Sequence, residues 1–131
     1  METILLSVKP EYAERILDGS KRHEYRKRIS RAPVNKIIIY ATVPVMKVVG
    51  EVQVVGVLSG SPTSLWEQTK TSAGISRAKY RSYFRACKSA YAYQLGEVLA
   101  YTEQKSLADY GITHPPQSFI YINEDDELSA P

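Results

Sequence analysis

Three charged side chains that could do chemistry lie within six positions of this 131-residue chain: Lys21, Glu24 and Arg26. On an extended segment, alternation places Glu24 and Arg26 on one face, together with Arg22 and Arg28. An arginine fork grips phosphate or carboxylate through two parallel hydrogen bonds, and a lysine supplies a point charge for phosphate. The group therefore predicts an anion- or nucleotide-binding site or a solvated strip of ion pairs, and the local sequence leaves both open.

Lys21 could also act as a base or nucleophile if burial lowers its pKa. A carboxylate at Glu24 would oppose that fall, because it stabilises the ammonium form. A Lys21–Glu24 pair thus favours binding over a lysine nucleophile. His23 and Tyr25 fall on the opposite face of the extended segment, where we expect them to pack and not to contact a ligand.

A strand and a short helix precede this segment. Residues 4–8 form an apolar run typical of a buried strand. Pro10 suits the first turn of a helix whose apolar stripe continues to Leu17. Gly19 is suited to the left-handed conformation that ends a helix. The sequence therefore predicts that Lys21 follows a helix end and lies at the entry to the extended segment.

The rest of the chain is predicted to consist mainly of strands. They lie at 36–40, 46–59, 90–101 and 118–122, with short helices at 63–71 and 76–86. Glycine bends and short helices favour an α+β, mainly β fold: a small, partly open β-barrel with two or three flanking helices. We expect one domain over residues 1–123 and a flexible acidic tail at 124–131.

Charge is distributed unevenly along the chain, although the net charge is only +3. Residues 21–31 carry six cations against one acid, and residues 77–88 carry five cations and no acid. This asymmetry predicts a basic surface for nucleic acid or nucleotides, or else two ordinary solvated faces.

Composition limits the other classes of function. One cysteine and two histidines are too few for the usual zinc sites, and no glycine-rich phosphate loop is present, so we expect no metal and no cofactor. No apolar run approaches the roughly 20 residues of a membrane-spanning helix. The N-terminus lacks the basic flank of a secretory signal. We therefore expect a cytoplasmic protein without membrane association.

The segment 19–26 reads Gly-Ser-Lys-Arg-His-Glu-Tyr-Arg, which fits the pattern Gly-x-Lys-x-x-Glu-x-Arg. This pattern is characteristic of ASCH domains in the PUA-like superfamily. Residues 6–16, 39–44 and 115–119 also resemble segments of the small bacterial and phage members. The resemblance implies a β-barrel crossed by helices, with the motif lining a cleft beside the barrel.

The same resemblance implies RNA binding, since family members act in RNA processing, translation or transcription coactivation. Some small relatives are N4-acetylcytidine amidohydrolases, and others are reported as ribonucleases. In the amidohydrolase branch the motif lysine works with a threonine three positions later, where this chain has Glu24. That departure favours binding over hydrolysis.

The leading interpretation is therefore a protein that binds RNA or a nucleotide-like ligand in a basic cleft. The candidate binding residues are Lys9, Lys21, Glu24, Arg26, Arg28, Tyr40, Gln117 and Ser118. The alternative is a hydrolase for N4-acetylcytidine or RNA, with Lys21 as base and Glu24 as proton shuttle. A third interpretation is an interaction module whose motif only stabilises the barrel.

Overall fold

The computed structural model describes residues 1–123, so the predicted acidic tail at 124–131 lies outside the described residues. Its strands are β1 (Glu2–Val8), β2 (His23–Arg26), β3 (Val34–Ala41), β4 (Lys47–Gly60), β5 (Ala90–Lys105) and β6 (Phe119–Ile122). Its α-helices are α1 (Pro10–Leu17), α2 (Pro62–Thr69) and α3 (Arg77–Tyr83), with 3₁₀ turns at Lys70–Ser72 and Leu107–Tyr110. None of the helices in this range is long and apolar enough to cross a membrane.

The six strands form one sheet in the order β2-β5-β4-β3-β1-β6. β1 and β3 pair in parallel, and every other neighbouring pair is antiparallel. The sheet is open, with β2 and β6 at its edges. The expected mainly β, barrel-like architecture with flanking helices is therefore confirmed.

The central strands β1 and β3 are buried on both faces. Ile4, Leu6 and Val8 pack with the apolar side of α1, whereas Leu5 and Ile38 belong to a separate cluster. Burial on both faces explains why these strands are continuous apolar runs without a polar alternation. The parallel pairing brings the ends of β1 and β3 together at one edge of the sheet.

A third apolar cluster attaches α2 and α3 to β2 and β5. It contains Tyr25, Leu65, Tyr80 and Phe84. The side chain of Ser76 caps α3, accepting a hydrogen bond from the main-chain N–H of Lys79. The helix ends at Tyr83, earlier than predicted, and Ala86 then takes a φ of +64°, which an α-helix cannot continue. α3 is thereby held beside β2.

Candidate functional site

A cleft of about 610 Å³ opens where the parallel strands end, beside Ser7 and Val8 of β1 and Thr42 after β3. The segment 21–26 supplies its charged side through Lys21, Glu24 and Arg26, and the ring of Tyr25 lies beneath Lys21. The other lining residues come from the start of α1, from α3 and from the 115–117 turn: Lys9, Tyr12, Ile75, Lys79, Ser82, Tyr83, Pro115, Pro116 and Gln117.

Lys21 is the most enclosed charge of the cleft, with 2% of its surface exposed. Its Nζ donates to the carbonyl of Ala73 at 2.7 Å and lies 3.9 Å from Oε1 of Glu24. The same atom is 5.4 Å from the ring centroid of Tyr12 and 4.9 Å from that of Tyr25. Burial lowers the pKa of Lys21, and the carboxylate of Glu24 opposes this fall.

The chain at 72–75 covers Lys21. The main-chain N–H of Lys21 donates to Arg15, and that of Arg22 donates to Ser72, both at 2.9 Å. Gly74 adopts a φ of +66°, and a Cβ there would lie 2.9 Å from Cα of Lys21 and closer still to its side chain. Arg15 donates from Nη1 to the carbonyl of Gly74 at 2.9 Å. Lys21 is therefore held in place by the segment 72–75, which lies about 50 positions further along the chain.

Glu24 and Arg26 lie on one face of β2, as alternation predicts, and the structure pairs them with each other. Oε2 of Glu24 accepts from Nη2 of Arg26 at 2.7 Å and from Nε at 3.1 Å. Nη2 also donates to the carbonyl of Ser7 at 2.9 Å, which ties β2 to the end of β1. Glu24 is 6% exposed. The alternative of a solvated ion-pair strip is wrong for Lys21 and Glu24, because the fold removes both from water.

Tyr25 packs in the apolar cluster with Tyr80 and Phe84, as expected of a core residue, but its ring also borders the cleft beneath Lys21. The Tyr25 hydroxyl lies 2.6 Å from Oγ1 of Thr69, which itself donates to the carbonyl of Leu65 at 2.8 Å. Because a threonine hydroxyl has one proton, Tyr25 must be the donor to Thr69. Burial raises the pKa of Tyr25 to about 12. His23 contacts Ser72, with Nδ1 3.1 Å from Oγ, and burial lowers its pKa.

The structure brings five of the eight candidate residues into the cleft lining: Lys9, Lys21, Glu24, Arg26 and Gln117. Three others do not line it. Arg28 is exposed beyond the end of β2, and Ser118 offers its carbonyl to the N–H of Ser7 at 3.1 Å while its side chain is exposed. Tyr40 is 2% exposed and packs with Ile38 in the core, because alternation along β3 places it on the inner face.

The sequence reasoning missed part of the cleft wall. Tyr12 and Tyr83 were not among the candidate residues, yet both line the cleft, and Tyr83 is 37% exposed. Lys79 and Ser82 lie beside Tyr83 on the same side of α3. Their spacing of three and four positions is that of one helix face, so a helical projection could have grouped them.

The sequence model of the ASCH domain matches residues 6–107. The chain belongs to the ASCH domain family. No group of three or more His, Cys, Asp or Glu side chains in residues 1–123 is placed to hold a metal ion.

Similar proteins from two bacteria accompany this family match. An "ASCH domain-containing ribonuclease" of Zymomonas mobilis is 35% identical over 92 residues, covering 70% of this chain and 62% of the relative. A Ureaplasma parvum protein named "ATP synthase subunit alpha" is 33% identical over 122 residues, covering 92% of this chain and 15% of the relative. The chain thus spans less than two thirds of the length of these curated relatives.

A crystal structure of ASCH from Zymomonas mobilis superposes with a TM-score of 0.89 at 28% identity, covering 97% of this chain and 92% of that one. The PUA-like ASCH fold implied by the motif at 19–26 is therefore confirmed.

Proposed function

We propose that this ASCH domain binds RNA or a nucleotide-like ligand in the cleft around Lys21. The charge of the lining carries the proposal: four cations, Lys9, Lys21, Arg26 and Lys79, line the cleft with one acid, Glu24. Lys79 also pairs with Glu11 at 3.4 Å, so the excess of positive charge comes chiefly from the other three cations. A cleft with such an excess of positive charge and low-dielectric walls attracts phosphate. The name of the Zymomonas mobilis relative, a ribonuclease, supports RNA as the ligand class.

Different cleft residues would contact different parts of the ligand. Within residues 1–123, Nζ of Lys21 has one hydrogen-bond acceptor, the Ala73 carbonyl, so further N–H groups can serve a ligand oxygen. Glu24 has one oxygen committed to Arg26, and its other oxygen can accept from a base edge. The rings of Tyr12 and Tyr83 line the cleft, and we infer that they stack on a base of the ligand.

Titration of labelled single-stranded RNA tests binding. We expect Lys21→Met to weaken binding by about 10-fold or more, because the substitution removes a charge-assisted hydrogen bond to the ligand. Wild-type affinity should fall between about 50 and 200 mM salt, because phosphate contacts release counterions. Arg31→Gln is the matched control. Arg31 is exposed and lies before β3, near the start of β1, about 20 Å along the sheet from the cleft.

The binding proposal fails if wild type and Lys21→Met bind equally weakly and neither responds to salt. Thermal unfolding of each variant, followed by circular dichroism, separates lost contacts from lost structure.

A hydrolase is the second candidate, and the buried position of Lys21 favours it. Burial lowers the pKa of Lys21, which brings the amine closer to the range in which a general base operates. With N4-acetylcytidine, Lys21 would take a proton from the water that attacks the acetyl carbonyl. Glu24, with Oε1 3.9 Å away, would pass that proton to the leaving nitrogen as the C–N bond breaks. The substrates to compare are RNA and N4-acetylcytidine.

Chromatography of both substrates after incubation tests this candidate, with Lys21→Arg as the diagnostic variant. Arginine keeps the positive charge but does not deprotonate, so it should retain binding and lose turnover. Absence of product from either substrate with wild-type protein eliminates the hydrolase and leaves the binding proposal intact.

A further inference from the structure

A second groove, of about 300 Å³, lies on the other side of α3 from the cleft. We call it the Trp66 groove. Its lining combines aromatic rings, two arginines and the cysteine of the chain: Pro62, Thr63, Trp66, Glu67, Arg77, Tyr80, Arg81, Phe84 and Cys87. None of these residues lines the Lys21 cleft.

α3 forms the ridge between the two depressions. Lys79, Ser82 and Tyr83 border the cleft, whereas Arg77 and Arg81, one helical turn apart, border the Trp66 groove. A helix with its side chains is about 10–12 Å across. A mononucleotide in the cleft would therefore not reach the groove, but a strand passing over α3 would contact both.

The aromatic side of the Trp66 groove is rigid. The ring centroids of Trp66 and Tyr80 are 4.7 Å apart, and those of Tyr80 and Phe84 are 4.8 Å apart. The Tyr80 hydroxyl donates to the carbonyl of Pro62 at 2.7 Å, which fixes its ring against α2. Trp66 is half-buried and retains surface towards the groove. A partly exposed ring held in this way can stack on a base at little entropic cost.

The charged side of the groove is positive. Arg77 and Arg81 are exposed, and neither forms a salt bridge within residues 1–123. Glu67 also borders the groove, but its carboxylate is paired with Lys70 at 2.8 Å. The stretch 77–88 contains five cations and no acid. Cations beside a stacking ring are the combination that binds single-stranded nucleic acid.

We propose that the Trp66 groove is a second nucleotide subsite, so that one strand of RNA crosses α3 with one base in the cleft and a base further along the strand against Trp66. The proposal rests on the proposed function of the cleft and specifies its ligand as a single strand longer than one nucleotide. A single strand is required because its bases can separate and stack on protein rings. Arg77 and Arg81 contact the phosphates on the far side of the ridge.

The test compares a random-sequence RNA hexanucleotide with the four nucleoside 5′-monophosphates by calorimetric titration. Wild type should bind the hexanucleotide at least about 10-fold more tightly than the monophosphates. This factor corresponds to the low end of the energy of stacking a base on an aromatic ring, together with the added phosphate contacts. Trp66→Leu should remove about 10-fold of hexanucleotide affinity and leave the monophosphate affinity unchanged, and Trp66→Phe should retain most of it. The Arg77→Gln, Arg81→Gln double variant should also weaken hexanucleotide binding and leave monophosphate binding unchanged, and it does not alter the apolar cluster.

Salt dependence and a matched control sharpen the comparison. The double arginine variant should lower the slope of log affinity against log salt by about 1.4, which is about 0.7 for each lost single-strand phosphate contact. Arg31→Gln should leave the slope unchanged, because Arg31 lies in the loop before β3 at the opposite end of β1 from the cleft.

Cys87 provides a direct reporter, since it is the single cysteine of the chain and lines the groove. The hexanucleotide should slow its alkylation by iodoacetamide, measured by mass spectrometry, and the monophosphates should not. If the monophosphates bind but the hexanucleotide binds no tighter and leaves alkylation unchanged, the second subsite is overturned and the cleft function stands. If nothing binds, both fail. If an acidic hexapeptide protects Cys87 and RNA does not, the groove is a peptide site and our proposal is overturned.

Discussion

Replacement of Gly74 by alanine tests whether the chain that passes over Lys21 fixes the position of that side chain. Gly74 has a φ of +66°, and an added Cβ would lie 2.9 Å from Cα of Lys21. Gly111 offers a matched control, with a φ of +72° and no atom within 4 Å of an added Cβ. The two substitutions impose the same backbone strain, but only Gly74→Ala also forces atoms together.

The expected magnitudes follow from these two terms. A residue other than glycine in the left-handed conformation costs about 1–2 kcal/mol, which is the whole expected effect of Gly111→Ala. Overpacking typically adds about 1–3 kcal/mol. Because one of the opposing atoms at Gly74 is backbone, rotation of a side chain cannot relieve the contact. Gly74→Ala should therefore reduce the free energy of unfolding by about 2–5 kcal/mol.

Urea unfolding of both variants measures these free energies, and RNA titration measures the consequence for the cleft. We expect Gly74→Ala to weaken RNA binding, because the displaced Lys21 loses its contact with Ala73, and Gly111→Ala to bind as wild type does. Equal loss of stability in both variants, with unchanged RNA affinity, would refute the reasoning that the close approach at Gly74 sets the position of Lys21.

Three further substitutions test the buried charges and hydroxyls by urea unfolding. Glu24→Gln leaves Lys21 and Arg26 without their carboxylate and should cost about 3 kcal/mol at pH 7, whereas a loss below about 1 kcal/mol would mean that the pair is solvated. Burial lowers the folded-state pKa of Lys21 below its ordinary value of 10.5, so the unfolded chain binds more protons in that interval. Wild type should therefore gain stability relative to Lys21→Met as pH rises towards 10.5, and a constant difference would contradict this. Tyr25→Phe removes a hydrogen bond worth about 1 kcal/mol. Burial raises the pKa of Tyr25 to about 12, so the stability that Tyr25 contributes should be complete below pH 10 and be lost as pH rises to about 12. A difference in unfolding free energy between wild type and Tyr25→Phe that does not change with pH would contradict this.

Local regularities were sufficient to predict most elements of the fold. The apolar run at 4–8 and Pro10 predicted β1 and the start of α1, and Gly19 does adopt a positive φ, of +85°. Alternation along β2 correctly separated Glu24 and Arg26 from Tyr25. These predictions succeed because the side chains of a strand repeat every two residues and those of a helix every 3.6, whatever the rest of the chain does.

The contacts that define the site could not be predicted from local periodicity. Lys21 is buried by Ala73 and Gly74, and Tyr83 borders the same cleft from α3. Tyr40 was a candidate binding residue, but it is enclosed by core residues from other strands.

The sequence by itself determined most of the strands and helices, the shared face of Glu24 and Arg26 and, through the motif at 19–26, the ASCH family. Only the tertiary structure decided which cations are dehydrated, which tyrosines reach the cleft and that a second groove lies across α3. The reason is physical: burial depends on the sum of neighbours from distant segments, and no local periodicity records which segments will meet.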